Sequence, residues 1–159
     1  MVLAVGVAWI LMTVINAIGF ATPWISGAFQ PVDEAALGAA IKAHVGERYG
    51  VYTAHGPVFA FVAVRDASYY NFRNYFIREF ITQLIAAVLL VWVLTLTRAL
   101  GWQTQLALVA LLAGAAALVI HGQYWNWWGF SARYTLPAAI NFVAAWLIPA
   151  FVLARWLVR

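Results

Sequence analysis

Cysteine is absent from this chain, methionine occurs twice, and charge is scarce: five acidic and nine basic side chains make up 9% of 159 residues. Without thiols there can be no disulfide, thiolate metal site, iron–sulfur cluster or cysteine nucleophile. A water-soluble domain carries about 25% charge, so this chain cannot cover itself with polar surface. Disorder is excluded by the opposite quantity, because 66% of the residues are hydrophobic and disordered segments are poor in such residues. The bases are dispersed and never form a cluster of four, which leaves no footprint for nucleic acid. No glycine-rich phosphate loop, HExxH run or nucleophile elbow occurs.

What remains is an integral membrane protein. A spanning helix needs about 20 mostly apolar residues, and four segments qualify. The first runs from Val2 to Ala21 and stops at Thr22-Pro23; with no basic residue before its apolar run, it reads as a retained helix and not as a leader peptide. The second runs from Phe80 to Thr97, and the third from Leu106 to Ile120, with Trp102 and His121 able to extend it. The fourth begins at Leu136-Pro137, with Thr135 as its cap, and ends at Arg155-Trp156 and Arg159. Arg98, Arg155 and Arg159 lie directly at helix ends on an acid-free side, so the termini are expected in the cytoplasm and the cap outside.

The fold class is therefore an α-helical membrane protein of four transmembrane helices, with a small extramembrane α+β insertion between the first and second. In residues, helix 1 occupies 1–22, the α+β cap with an interfacial aromatic segment 23–75, and helices 2 to 4 occupy 76–159. Within the cap, Asp33 should cap a helix ending at Gly46, with Leu37, Ile41 and Val45 on one face. Gly50–Ala54 and Val58–Val64 read as two strands around a His55-Gly56-Pro57 turn. The second strand is apolar on both faces. A two-stranded hairpin and one helix are too small to bury both, so the bilayer surface, another copy or a partner subunit is expected to cover Phe59 and Phe61.

Two aromatic stretches flank this region. Tyr69 to Phe80 mixes six aromatics with Asn and Arg, a composition suited to the headgroup level and a candidate pocket for a quinone or lipid headgroup. Between the third and fourth helices, Trp125, Trp127 and Trp128 fall within four residues, followed by Arg133. They are read as an interfacial anchor or as a contact surface for lipid and partner helices. The sequence from Asn126 through Trp127, Trp128 and Gly129 to Phe130, followed by Tyr134-Thr135, resembles a motif in a family of small bacterial four-helix membrane proteins. Pro23-Trp24, Asp33-Glu34, Gly50-Val51-Tyr52, Gly56-Pro57 and Leu153-Ala154-Arg155 stand at similar places, while Thr22 replaces that family's leucine. The resemblance implies the same topology and a bacterial inner membrane; it implies no activity.

No Asp, Glu, Lys, Arg or His lies inside the four predicted spans. Intramembrane ionisable residues mark proton relays and ion-coupled transport, so those functions are not expected. Asn16, Gln83 and Asn141 are read as helix-to-helix hydrogen bonds. Small residues recur four apart at Ala4/Ala8, Ala17/Ala21, Ala110/Gly114, Ala113/Ala117 and Ala150/Ala154, and Pro149 should kink the fourth helix, with its partner carbonyl near Ala145. No catalytic or metal-ligating set emerges, and the chain is not expected to be an enzyme. It is expected to be a non-catalytic structural or accessory subunit of a larger membrane complex, of bioenergetic or photosynthetic kind, with other membrane subunits and the bilayer as partners. The alternative is a homo-oligomeric channel or small-molecule transporter lined by the three amides, and a third reading is a membrane-anchored sensor whose cap binds a hydrophobic ligand. No cofactor is predicted; bound lipid is expected, with a single-ligand pigment on His121 or a quinone as alternatives.

Overall fold

The computed structural model describes residues 1–69 and 71–156; Tyr70 of the aromatic segment and Arg159 lie outside them. Among the described residues, four helices are long and apolar enough to cross a membrane: Val2–Ala21 (α1), Phe72–Leu96 (α4), Trp102–Trp127 (α5) and Ala132–Trp156 (α6). Between α1 and α4 come a single turn, Pro23–Ser26 (α2), a helix Glu34–Val45 (α3), and strands Gly50–His55 (β1) and Phe59–Val64 (β2). Four apolar helices with aromatic clusters at their ends fit a membrane protein.

Local chemistry accounts for most boundaries. Thr22, held extended (φ −87°, ψ 152°) by the following proline, ends α1, and its hydroxyl donates to the Gly19 carbonyl at 3.1 Å. The Asp33 carboxylate accepts from the Ala36 N–H at 2.9 Å and so caps α3, which closes at Gly46 as expected. β1 and β2 pair antiparallel from Gly50↔Val64 to His55↔Phe59. The strands are shifted by one residue from the sequence reading: His55 joins β1, and Val58 stays in the turn.

Two helix starts and one helix end differ from expectation, each by addition of a turn or more. α4 begins at Phe72, so the aromatic segment from Phe72 onward is already part of this helix, and the division at residue 75 falls inside α4. The reason is helical spacing: Phe72, Phe76 and Phe80 recur every fourth residue, with successive rings 4.5 and 5.8 Å apart, and the Asn71 side chain accepts from the Asn74 N–H. α5 continues through Trp127, so Trp125 and Trp127 occupy a helix end that the sequence reading gave to a loop. α6 starts at Ala132, where the Ser131 hydroxyl oxygen accepts from the Tyr134 N–H. Thr135 is consequently not the cap; it lies inside the helix, buried, and its hydroxyl finds no partner. Pro137 is displaced from the first turn into the helix proper.

α1 packs between α4 and α6, and α5 packs along α6. Their shared core contains Ala8 and Met12 of α1, Leu90 and Leu94 of α4, Val109 of α5, and Ala150 and Leu153 of α6. Two of the small-residue pairs, Ala4/Ala8 and Ala150/Ala154, are buried in this core and a third, Ala113/Ala117, is buried outside it; the missing side-chain bulk lets backbones approach. Ala17 and Ala21 are exposed and take no part in it. α6 runs through Pro149, which is buried and leaves the Ala145 carbonyl without its usual donor.

Candidate functional site

The amides inside the bundle are structural connections between helices. Asn141 Nδ2 on α6 donates to Asn16 Oδ1 on α1 at 3.0 Å, the helix-to-helix bond expected of them. Gly19, one turn further along α1, makes room for it: a Cβ there would overlap the Asn141 amide. Gln83 behaves differently, donating to Glu79 on its own helix at 2.7 Å. Gln83 is thus bonded within its own helix, apart from the Asn16–Asn141 pair.

Two further polar ties were not singled out from the sequence. Gln105, 3% exposed, donates from Nε2 to the Leu94 carbonyl at 2.8 Å and to Thr97 Oγ1 at 3.2 Å, fastening the start of α5 to the end of α4. Extending the third helix back to Trp102 would have placed Gln105 in a first turn. The other is Trp9, whose indole N–H donates to the Phe80 carbonyl at 3.0 Å, with the two rings edge to face at 6.0 Å. A tryptophan in mid-span can leave no indole N–H unbonded in lipid without cost, and that was the available signal.

At the cap end, the turn between α5 and α6 meets the hairpin. Trp128 ends α5, Gly129 follows at φ +70°, and the Phe130 N–H donates to the Tyr124 carbonyl at 3.1 Å, reversing the chain. The Phe61 ring lies 4.4 Å from the Trp128 ring, and the Phe59 ring lies where a Cβ on residue 129 would be 3.1 Å from it. Glycine is needed there twice, for the backbone and for the ring. The expectation that a foreign surface must cover this strand is thus overturned in part: the Phe59/Phe61 face is seated on the chain's own α5–α6 turn. The pairing joins residues too far apart in sequence for any local pattern to show it.

Comparison with known protein families, characterised proteins and solved structures finds no match to this chain.

The expected contact residues separate into two groups. Phe59, Phe61 and Trp128 come together as described. Trp125 and Trp127 point away from the bundle at 61% and 68% exposure. Arg133 is exposed on the first turn of α6, with no acidic side chain within ion-pair reach among the described residues. His121 lies in α5 with its Nδ1 buried and without a partner, its ring edge to face with Tyr124 and Phe142. The other histidines have separate partners in the cap: His44 Nδ1 contacts the Ala40 carbonyl and His55 packs on Phe59. No group of three metal-ligating side chains occurs among the described residues.

On its other face β2 looks across a cleft of about 420 Å³ toward α3, lined by Ile41 and Val45 on one side and Val62 and Val64 on the other. Leu37, expected on the same face as Ile41 and Val45, remains 49% exposed. At one end of the cleft the Tyr49 hydroxyl donates to Asp66 Oδ2 at 2.9 Å, while Asp66 Oδ1 accepts from the Ser68 N–H at 2.8 Å. The Ser68 side chain and backbone, then Tyr49, hold the Asp66 carboxyl below the usual carboxylate range. Tyr49 is pushed above the ordinary tyrosine value, first by this hydrogen bond to a carboxylate.

Proposed function

We propose that the chain is a non-catalytic structural or accessory subunit of a larger membrane complex, of bioenergetic or photosynthetic kind, whose cap docks against a neighbouring membrane subunit. The observation that supports this is apolar surface outside the four long helices that internal packing leaves uncovered. Val32, Val51 and Val58 are 58%, 62% and 68% exposed. Lipid tails can cover such side chains on a spanning helix; on an extramembrane cap they mark a contact surface. β1 and β2 also form a two-stranded sheet, so each keeps an edge on which a partner's strand can pair. The occupant is accordingly an apolar extramembrane segment of another subunit, able to contribute a strand. The resemblance of the tryptophan motif to small bacterial four-helix proteins, together with arginines at the ends opposite the cap, supports a bacterial inner membrane with termini cytoplasmic and the cap outside.

Phe61, whose replacement by a charge would be the obvious test from sequence, is unsuited to it because Trp128 sits on its ring. Val51 and Val58 serve instead. Native mass spectrometry of the protein gently extracted from its own membrane should show foreign subunits at fixed stoichiometry, lost in Val51→Asp/Val58→Asp. A bare homo-oligomer in the unaltered protein would overturn the reading in favour of a channel.

A second reading is supported by the cleft between α3 and β2, whose walls are apolar: a sensor in which the cap binds a hydrophobic ligand. A ligand-dependent rise in the melting temperature of the cap would favour it.

A further inference from the structure

One surface joins a cation to an apolar track. Between α2 and the first two turns of α6 lies a groove of about 490 Å³, lined by Pro23, Trp24, Arg133, Leu136, Pro137 and Ile140. On α6 the last four recur at helical spacing and form a single stripe, which begins with a guanidinium at the cap end and continues as hydrocarbon toward mid-span. Leu136 and Ile140 are 62% and 54% exposed along it, and Trp24, 50% exposed, forms the opposite wall at the cap end. Order along the groove is therefore cation and indole first, apolar side chains after.

Two facts about Arg133 show what the groove takes. Neither an acidic side chain nor an aromatic ring engages its guanidinium among the described residues, whereas Arg65, Arg78 and Arg155 all lie over rings. Its carbonyl is also affected, because the residue four positions on is Pro137, which has no N–H to give. One residue thus offers a charged donor and a backbone acceptor lacking its usual helical partner, beside an apolar track. At the headgroup level both are open to an external partner.

We infer that this groove is a site for one anionic glycerophospholipid of the cap-side leaflet. Its phosphate pairs with the Arg133 guanidinium, a headgroup hydroxyl can donate to the Arg133 carbonyl, and one acyl chain follows Leu136 and Ile140 beneath Trp24. An annular lipid held by hydrophobicity alone would need no cation, and a free phosphate would need no apolar track. This inference requires that the four long helices span a bilayer; it does not depend on the docking role of the cap.

The test uses the full chain in nanodiscs of equal parts phosphatidylglycerol and phosphatidylcholine, released into the gas phase for native mass spectrometry. One phosphatidylglycerol per chain should be retained in preference to phosphatidylcholine. Arg133→Gln should reduce that retention about tenfold, the equivalent of one charge-assisted hydrogen bond. Leu136→Trp, which fills the track while keeping the cation, should reduce it as well. Arg98→Gln, which removes an exposed cation from the opposite end of the bundle, should leave it unchanged. Equal retention of the two lipids, equal loss in Arg98→Gln, or full retention in Arg133→Gln would each overturn the assignment, as would displacement of the lipid by inorganic phosphate alone.

Discussion

Asn141 on α6 donates a hydrogen bond to Asn16 on α1, 125 residues away in sequence, and Gly19 stands where any side chain would collide with it. Such amide pairs contribute about 0.6–2 kcal/mol in lipid. Asn141→Leu should destabilise the bundle by about that amount, and Gly19→Ala by about 1–3 kcal/mol, the usual range for overpacking. Because both act on one contact, the double variant should cost less than the sum of the two. Steric-trap or detergent-unfolding measurements on the four proteins check this; strict additivity would show that Gly19 and Asn141 act independently.

The hold of the bundle on the cap should depend on Trp128. Its pairing with Phe61 is the closest ring contact between β2 and the long helices, and such pairs contribute about 0.5–1.5 kcal/mol beyond burial. In Trp128→Ala, local opening of the hairpin should become about five to thirty times more frequent, the factor for one to two kcal/mol. Trypsin should accordingly cut faster after Arg48 and Arg65, while Arg98 should be cut at its former rate.

The Tyr49–Asp66 bond predicts a pH window for the cap. Asp66 is depressed in the folded state, so its contribution is present above the unfolded carboxyl value of about 3.9 and is lost as pH falls through the lower folded value. Tyr49 is raised, so its contribution is complete below about pH 10 and is lost as pH rises through the higher folded value. Phenolate absorbance should show one tyrosine ionising later than it does in Asp66→Asn. Thermal unfolding followed by circular dichroism should weaken at both ends of this window, and Tyr49→Phe should remove the alkaline arm.

Absence of cysteine makes orientation directly measurable. With the termini in the cytoplasm and the cap outside, a cysteine replacing Ala54 should react with an impermeant maleimide in intact cells, and one replacing Arg98 should react only after lysis. The reverse pattern would invert the topology.

The spans were legible in the sequence because a 20-residue apolar requirement is a strong filter, and the cap helix because Asp33 and Gly46 carry their own end signals. Helix starts were less so. Phe72, Phe76 and Phe80 have helical spacing but were read by composition as headgroup-level aromatics, since an indole or phenyl ring suits that level whether or not the backbone is helical. Composition places Trp125 and Trp127 in a loop for the same reason, whereas the helix runs through both and ends before Trp128. What could not be read at all was the seat of β2 on the α5–α6 turn. Phe61 and Trp128 announce that each needs apolar cover, and nothing local in either stretch says that they cover one another. Arg133 was noted as a cation near an interface; its groove needed the proximity of Pro23 and Trp24, which comes from α2 folding back toward α6.

α6 touches α1, α2, α4 and α5, whereas α5 packs along α6 and does not pack along the helix that precedes it. During synthesis, then, α5 emerges before the surface that receives it exists. Before α6 is made, α1 and α4 can pack on one another through Trp9 and Phe80, while α5 is tied to the end of α4 by Gln105 and waits for α6 to pack along. Completion of the bundle therefore waits on α6, which supplies both the surface that receives α5 and the amide partner of Asn16.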